Sequence, residues 1–491
     1  MSSNSVRALL LFLSLAQCVV FASAATYGGV TALLQGESGY DTARLAFNKR
    51  FNILPYVITY PSTADQVAAI VQQGASEKRQ VVARSGGHSY IANGLGGKNG
   101  AVVVDLKNFT SITVNPGTFY AVVGAGNRLG KVASTLSAQG RALPHGTCPY
   151  VGIGGHATYG GFGFASRMWG LTLDNIVSAK VVLANGTIVT TSSTQHQDLF
   201  WAVRGSASSF GIVTSFTFKT YPQPAHGYTF SYQFHLDSAE ASNALLSFQD
   251  FTRTTNLPPH IGFEITFSKG WSAGRFYVEL IGQWFADPAG LEPLLKPLLD
   301  KLPARTGGYR RGGTYIQAIT DVAGGDLSTN GDQGTDTFYA KSLMVPASSP
   351  LTANAVNAFV NTLTSTGLST NLNWWVQIHL FGGANSAINA VPAGATSFGR
   401  RDSLFTMQIY TSSPTYAPPF PDAGFTFMNN ILNSFVNNQP SGWNYGMYTN
   451  YLDDKVQNWS APYYGAQYTR LQSIKKAVDP NNVFNFLTSV A

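Results

Sequence analysis

Pro222-Gln223-Pro224 divides the chain into two stretches built on different patterns. Proline fixes φ and donates no backbone hydrogen bond, so two of them in three residues stop both helix and strand. Ahead of the break, over about 56–221, short apolar runs alternate with helical periodicity. Thr63-Ala64-Asp65-Gln66 is a capping box opening a helix with Val67, Ala68, Ile70 and Val71 as its apolar positions. Runs 80–83, 101–104 and 120–123 read as buried strands, and 130–136 as a helix broken at Gly140. Runs 179–183 and 187–191 form a hairpin turned by Asn185-Gly186. Behind the break, 228–235, 262–267, 275–284, 374–380 and 404–410 alternate as strands with one covered and one open face. Helical stretches at 239–248, 291–302, 353–363 and 425–435 supply the cover. The fold class is therefore α+β: a first unit over 25–224, a second over 225–445 on an antiparallel sheet covered by helices, and a short return to the first over 446–491.

Residues 1–24 read as a secretory signal. Arg7 precedes an apolar run over 8–21, and Ala22-Ser23-Ala24 suits signal peptidase. That run is too short to span a bilayer, and no later stretch reaches the ~18 uninterrupted apolar residues that spanning takes. A soluble extracellular chain is expected, with no membrane partner. Three sequons, at Asn108, Asn185 and Asn458, fit a eukaryotic secretory route. Net charge falls from +7 to +6 when Arg7 leaves with the leader, charged residues make up 11%, and no dense Lys/Arg stripe occurs. These features exclude a nucleic-acid binder. No repeat and no metal-ligand pattern appear, and a monomer is expected.

Two cysteines occur, Cys18 in the leader and Cys148, so the mature chain keeps one thiol with no partner of its own. A chain this long buries a core without disulfide staples. Cys148 is then either a small buried hydrophobe or bonded to something other than cysteine. Its surroundings, 141–163, hold seven glycines. Val81-Val-Ala-Arg84-Ser85-Gly86-Gly87-His88-Ser89-Tyr90 is a strand entering a two-glycine turn that ends at a histidine. Gly152-Ile-Gly154-Gly155-His156 and Gly160-Gly161-Phe-Gly163 repeat the device. Paired glycines let backbone lie against a ligand with amide N–H groups turned to phosphate or carbonyl oxygens. Gly152-x-Gly154-x-x-Ala157 also fits a loose Rossmann fingerprint, but it follows Cys-Pro-Tyr rather than a strand and opens no clean helix.

Arg84-Ser-Gly-Gly-His88-Ser, Gly146-Thr-Cys148-Pro-x-Val151-Gly-x-Gly-Gly-His156, Gly160-Gly-x-Gly163 and Gly170-Leu-x-x-Asp174 together resemble the FAD-linked oxidases of the vanillyl-alcohol-oxidase superfamily. Within it the chain is similar to the berberine-bridge-enzyme-like group and its fungal oligosaccharide oxidases. Tyr448-Thr-Asn450-Tyr451-x-Asp453 and Asp479-Pro-Asn-Asn-Val-Phe484 extend the match over nearly the whole mature chain. The resemblance implies a PCMH-type FAD-binding fold and a flavin bonded twice, by His88 at the ring methyl and by Cys148 at an adjacent ring carbon. Arg84, Ser85, Gly86, Gly87, Ser89, Gly152, Gly154, Gly155, Gly160 and Val213 would complete the cofactor site. His156 either contacts the flavin or bonds within its loop. A link to flavin would also consume the thiol that is otherwise exposed to disulfide exchange.

By the same resemblance Tyr451 is the base that takes a sugar's anomeric hydroxyl proton as hydride passes to FAD. The product is a lactone that hydrolyses to an aldonic acid, and dioxygen becomes hydrogen peroxide. Tyr448 lines the site, the alternative for both tyrosines being ordinary core. An activated phenolate is suited to this work where a neighbour lowers its pKa. The step from 448 to 451 would not keep both on one strand face, so a bend is expected. Trp375, Gln377 and His379 fall at spacing two on one face, with Gln408 and Glu264 on other strands. These, with Tyr90 bordering the flavin, would hold sugar hydroxyls while Trp375 stacks on a pyranose and Trp374 points to the core. The relatives have an aspartate where His379 stands, as partner of the tyrosine, so activity should fall more steeply below pH ~6.5. Val151, three after the cysteine, is the position that gates oxygen. Two rivals remain: a flavin enzyme for an alkaloid, phenol or secondary metabolite, and a secreted carbohydrate-binding protein without activity.

Overall fold

The computed structural model describes residues 25–331 and 333–491. The leader read over 1–24 lies outside them.

Two five-stranded sheets build the first unit. In one, Val57–Thr59, Val102–Asp105 and Val81–Arg84 lie parallel, and Val30–Leu34 and Thr26–Tyr27 add an antiparallel edge. Their valines are buried on both faces, which is why they read as continuous apolar runs. Helix Ala64–Ser76 packs Val67, Ile70 and Val71 inward. Thr63 caps Gln66 N as expected, but Gln66 Oε1 returns to Ser62 N, at 2.7 Å. The other sheet is antiparallel, in the order Ile188–Ser192, Ile176–Val182, Ile212–Lys219, Tyr120–Gly124, Ile112–Val114. Its 188–192 strand forms the expected hairpin, whereas Tyr120 and Val122 are exposed, alternating onto the face opposite buried Ala121 and Val123.

Behind the break lies a seven-stranded antiparallel sheet in the order Gly307–Gly313, Gly227–Leu236, Phe276–Trp284, Ile261–Lys269, Asn373–Leu380, Ser403–Ser412, Phe338–Pro346. Five of these strands end within two residues of the sequence reading, the usual scatter of element ends. Helices Ser238–Thr254, Ala353–Thr362 and Asp422–Val436 cover one face, where Phe248 meets Phe263 and Phe359 meets Phe267 and Phe435. On the opposite face cross-strand register lines up Glu264, His379 and Thr406, then Thr266, Gln377 and Gln408, then Ser268, Trp375 and Tyr410.

After helix Tyr468–Val478 the chain returns to the first sheet, where Val81 N donates to Val483 O at 3.0 Å and Gln80 Nε2 to Asn485 O at 2.5 Å. Asp479 locks this return: its carboxylate accepts from the amides of Val483 and Phe484 and from buried Lys475.

Candidate active site

The two glycine turns meet backbone to backbone. A Cβ on Gly86 would fall 2.3 Å from Gly152 N, and one on Gly152 would fall 2.1 Å from Gly86 N. Ser85 Oγ donates to Ala125 O at 2.6 Å and accepts from Gly154 N at 3.2 Å, tying the turns together. Gly155 does the reverse: it is exposed, and a Cβ there would meet nothing within 4 Å. Contrary to the sequence reading, Gly152 does open a helix, Ile153–Thr158. That helix follows a turn rather than a parallel strand, so no βαβ unit exists there for a Rossmann site.

Between the turns lies a cavity of about 300 Å³, bordered by the 84–90 turn, Cys148, Val151, Gly152, Gly154 to His156, Val213 and Tyr451. His88 stacks on Phe47 at 4.1 Å, and its buried Nε2 has no hydrogen-bond partner. Burial, aided by the Arg128 charge, lowers its pKa to about 4, so the imidazole is neutral. Cys148 carries an unpaired thiol exposed to the cavity yet walled by protein; desolvation raises its pKa against the Tyr150 and Val151 amides and Arg128. Arg84 borders the cavity but turns its guanidinium to the Ala43 and Leu45 carbonyls, and Ser89 Oγ accepts from Asn93 N at 3.1 Å. His156 makes the loop bond of its two expected roles, accepting from Gly146 N at 3.0 Å, while also bordering the cavity.

At the cavity's outer edge Tyr90 and Tyr451 stack at 5.8 Å and 4°. The expected bend is present: Tyr451 N donates to Tyr448 O at 2.8 Å in a turn. Three expectations are corrected here. Tyr451 is no preformed phenolate, because burial first, then Tyr90, Tyr448 and the Glu264 charge, hold its pKa well above the ordinary tyrosine value. Tyr448 does not line the site; its buried hydroxyl accepts the amides of Gly161 and Phe162 at 2.9 Å. Gly160 serves that contact rather than the cavity, since a Cβ on it would strike the Tyr448 ring at 2.6 Å.

The open face of the large sheet continues outward as a groove lined by Phe47, Tyr90, Trp375, Gln377, Gln408 and Tyr410. Trp375 stacks on Tyr410 at 4.6 Å and 5°, and Gln408 Nε2 donates to the Tyr90 hydroxyl. Trp374 points inward, its indole donating to Gly367 O at 2.8 Å. Glu264, expected to bind sugar, is 2% exposed, and its carboxylate accepts from Thr266 and Gln377. Its second oxygen lies against His379 Nδ1 at ion-pair range, though off the hydrogen-bonding line. No hydrogen bond joins His379 to Tyr451; His379 Nε2 is buried without a protein partner. Phe47, Arg128 and Tyr410 went unread in the sequence. Of these, Tyr410 alone left a trace, at the alternation of its strand.

Residues 55–192 match the model of an FAD binding domain, and 447–491 match "Berberine and berberine like". The chitooligosaccharide oxidase of Gibberella zeae is 35% identical over 473 residues, 94% of this chain and 92% of that protein. The xylooligosaccharide oxidase from Myceliophthora thermophila, solved with xylobiose, superposes with a TM-score of 0.86 at 33% identity, covering 94% of this chain and 97% of that one. The glucooligosaccharide oxidase of Acremonium strictum, described as carrying a 6-S-cysteinyl, 8α-N1-histidyl FAD, does so with a TM-score of 0.86 at 32% identity, with the same coverage. The chain belongs to the berberine-bridge-enzyme-like FAD-linked oxidases.

A berberine-bridge-like oxidase is an oxidoreductase whose cofactor is FAD, and the cavity fits that group. An orphaned neutral imidazole and an unpaired thiol border one space, while Gly155 leaves it open where any side chain would intrude. Among the described residues no cluster of metal-ligating groups occurs, and no helix is long and apolar enough to cross a membrane. Asn108, Asn185 and Asn458 are all exposed.

Proposed function

We propose that this chain is a secreted, monomeric oligosaccharide oxidase that oxidises the anomeric carbon of a reducing-end sugar. In this reading its leader directs export, its sequons carry glycans, and His88 and Cys148 are both bonded to FAD. The observation that carries it is the junction of cavity and groove, which share Phe47 and Tyr90 as walls. A sugar lying on Gln377, Gln408 and Trp375 thereby presents its end to Tyr451. So many hydrogen-bonding groups beside a stacking platform suit a polyhydroxylated ligand better than a planar aromatic one.

FAD supplies the two-electron acceptor, and dioxygen the terminal oxidant. The chain's own residues supply position and proton transfer. Tyr451 faces the sugar hydroxyl as a phenol, so it can take that proton only if its own leaves. His379, whose buried Nε2 has no protein partner, is the residue we assign to receive it, through a bridging water or substrate hydroxyl because no hydrogen bond joins it to Tyr451. Glu264 and Gln408 are positioning residues, the first for His379 and Gln377, the second for Tyr90. Val151 keeps the cavity wall small where oxygen enters. A peroxide assay across chito-, xylo-, cello- and malto-oligosaccharides alongside monolignols tests the reading. Peroxide with at least one saccharide series is expected; turnover confined to monolignols would overturn it.

A further inference from the structure

The groove at the cavity is one end of a longer floor. Cross-strand register carries Tyr410, Trp375, Ser268, Tyr277 and His235 across five neighbouring strands as one row. Directly opposed residues share a face, so all five stand on the open side of the sheet. The adjacent row, Gln408, Gln377, Thr266, Glu279 and Gln233, is polar throughout. Ser268 leaves a shallow step between two aromatic groups. One is Trp375 on Tyr410; the other is Trp271, whose ring lies 4.1 Å from His235 and 5.2 Å from Tyr277. Trp271 is 77% exposed, and His235 Nε2 is buried with no protein partner. A scattered surface tryptophan needs no explanation. This one packs on two residues of the row that already holds the groove's stacking pair.

We propose that Trp271, His235 and Tyr277 form a distal sugar subsite, which rests on the oligosaccharide reading and deepens it to a preference for longer chains. Strands lie about 4.8 Å apart, close to the advance of one pyranose in an extended chain, so Tyr277 sits about two sugars beyond Trp375. The indole offers an apolar face to a pyranose, and the neighbouring polar row meets its hydroxyls.

Steady-state kinetics of the holoenzyme on a disaccharide and a hexasaccharide of the preferred series test this. Trp271→Ala is expected to raise KM for the hexasaccharide about three- to ten-fold, the size of one aromatic stacking contact. Its kcat and its disaccharide kinetics stay at wild-type values, and Trp271→Phe recovers most of the loss. An unchanged hexasaccharide KM in Trp271→Ala overturns the subsite, as does an equal loss on the disaccharide. Wild-type enzyme that oxidises neither saccharide removes the oligosaccharide reading itself, an outcome distinct from an active enzyme indifferent to Trp271.

Discussion

Tyr451 is half-buried among two other tyrosines and a carboxylate, each of which disfavours its anion. Ultraviolet difference titration of wild type against Tyr451→Phe should therefore show no tyrosinate forming below about pH 10, while the variant loses about 10²–10⁴-fold in turnover. A titration step near neutrality would mean that the resting enzyme carries an activated phenolate after all. His88 and Cys148 make a separate prediction. His88→Ala and Cys148→Ala should each keep flavin on the denatured, gel-filtered protein through the surviving bond, and the double variant should release all of it. Flavin absorbance retained by the double variant would place a link elsewhere. These two positions were legible because a rare residue type stood inside a specific glycine pattern. Glu264 and Tyr448 misled for a physical reason. Residue type states a capacity to hydrogen-bond, but the partner is set by register and by turns from distant segments, here Gln377 for one and Gly161 for the other.

The glycine turns belong to the scale of elements, and their two kinds of glycine should respond in opposite ways. Gly152→Ala forces a Cβ against a backbone nitrogen that cannot move aside, so a loss of about 1–3 kcal/mol is expected in denaturant unfolding, with poor flavin loading. Gly155→Ala meets open space and should leave the unfolding of the flavin-free chain unchanged. Equal losses would mean that the close approach of the turns carries no stability. Alternation revealed five of the seven strands, because their open faces are polar and their covered faces apolar. The other two lacked that signature. Phe338–Pro346 is buried along its whole length with Lys341 in its middle, tolerable only because Asp453, far along the chain, pairs with it at 2.6 Å. Gly307–Gly313 is an edge strand of glycine, tyrosine and arginine, held by a single neighbour.

At the scale of the molecule, both sheets of the first unit border one glycine-walled space, and the large sheet adjoins it through the groove, where Gln408 reaches Tyr90. That convergence was readable only through a resemblance, since periodicity reports elements and not which turns meet. The packing around that space also carries a cost in acid. His156 is buried under the Gly146 loop, and desolvation, with His145 beside it, lowers its pKa to about 3. The unfolded chain takes up that proton near pH 6.5, so between about 6.5 and 3 the unfolded state binds more protons than the fold. Stability is thus unaffected by this group above 6.5 and falls as pH drops, by about 2 kcal/mol at pH 5 from His156 alone. His145 shifts in the same direction by burial and adds to the loss. Urea unfolding at pH 7 and pH 5 should show the drop in wild type. It should be smaller in His156→Gln, whose amide oxygen can still accept from Gly146 N but cannot titrate. The same drop in both proteins would assign the acid sensitivity to other groups.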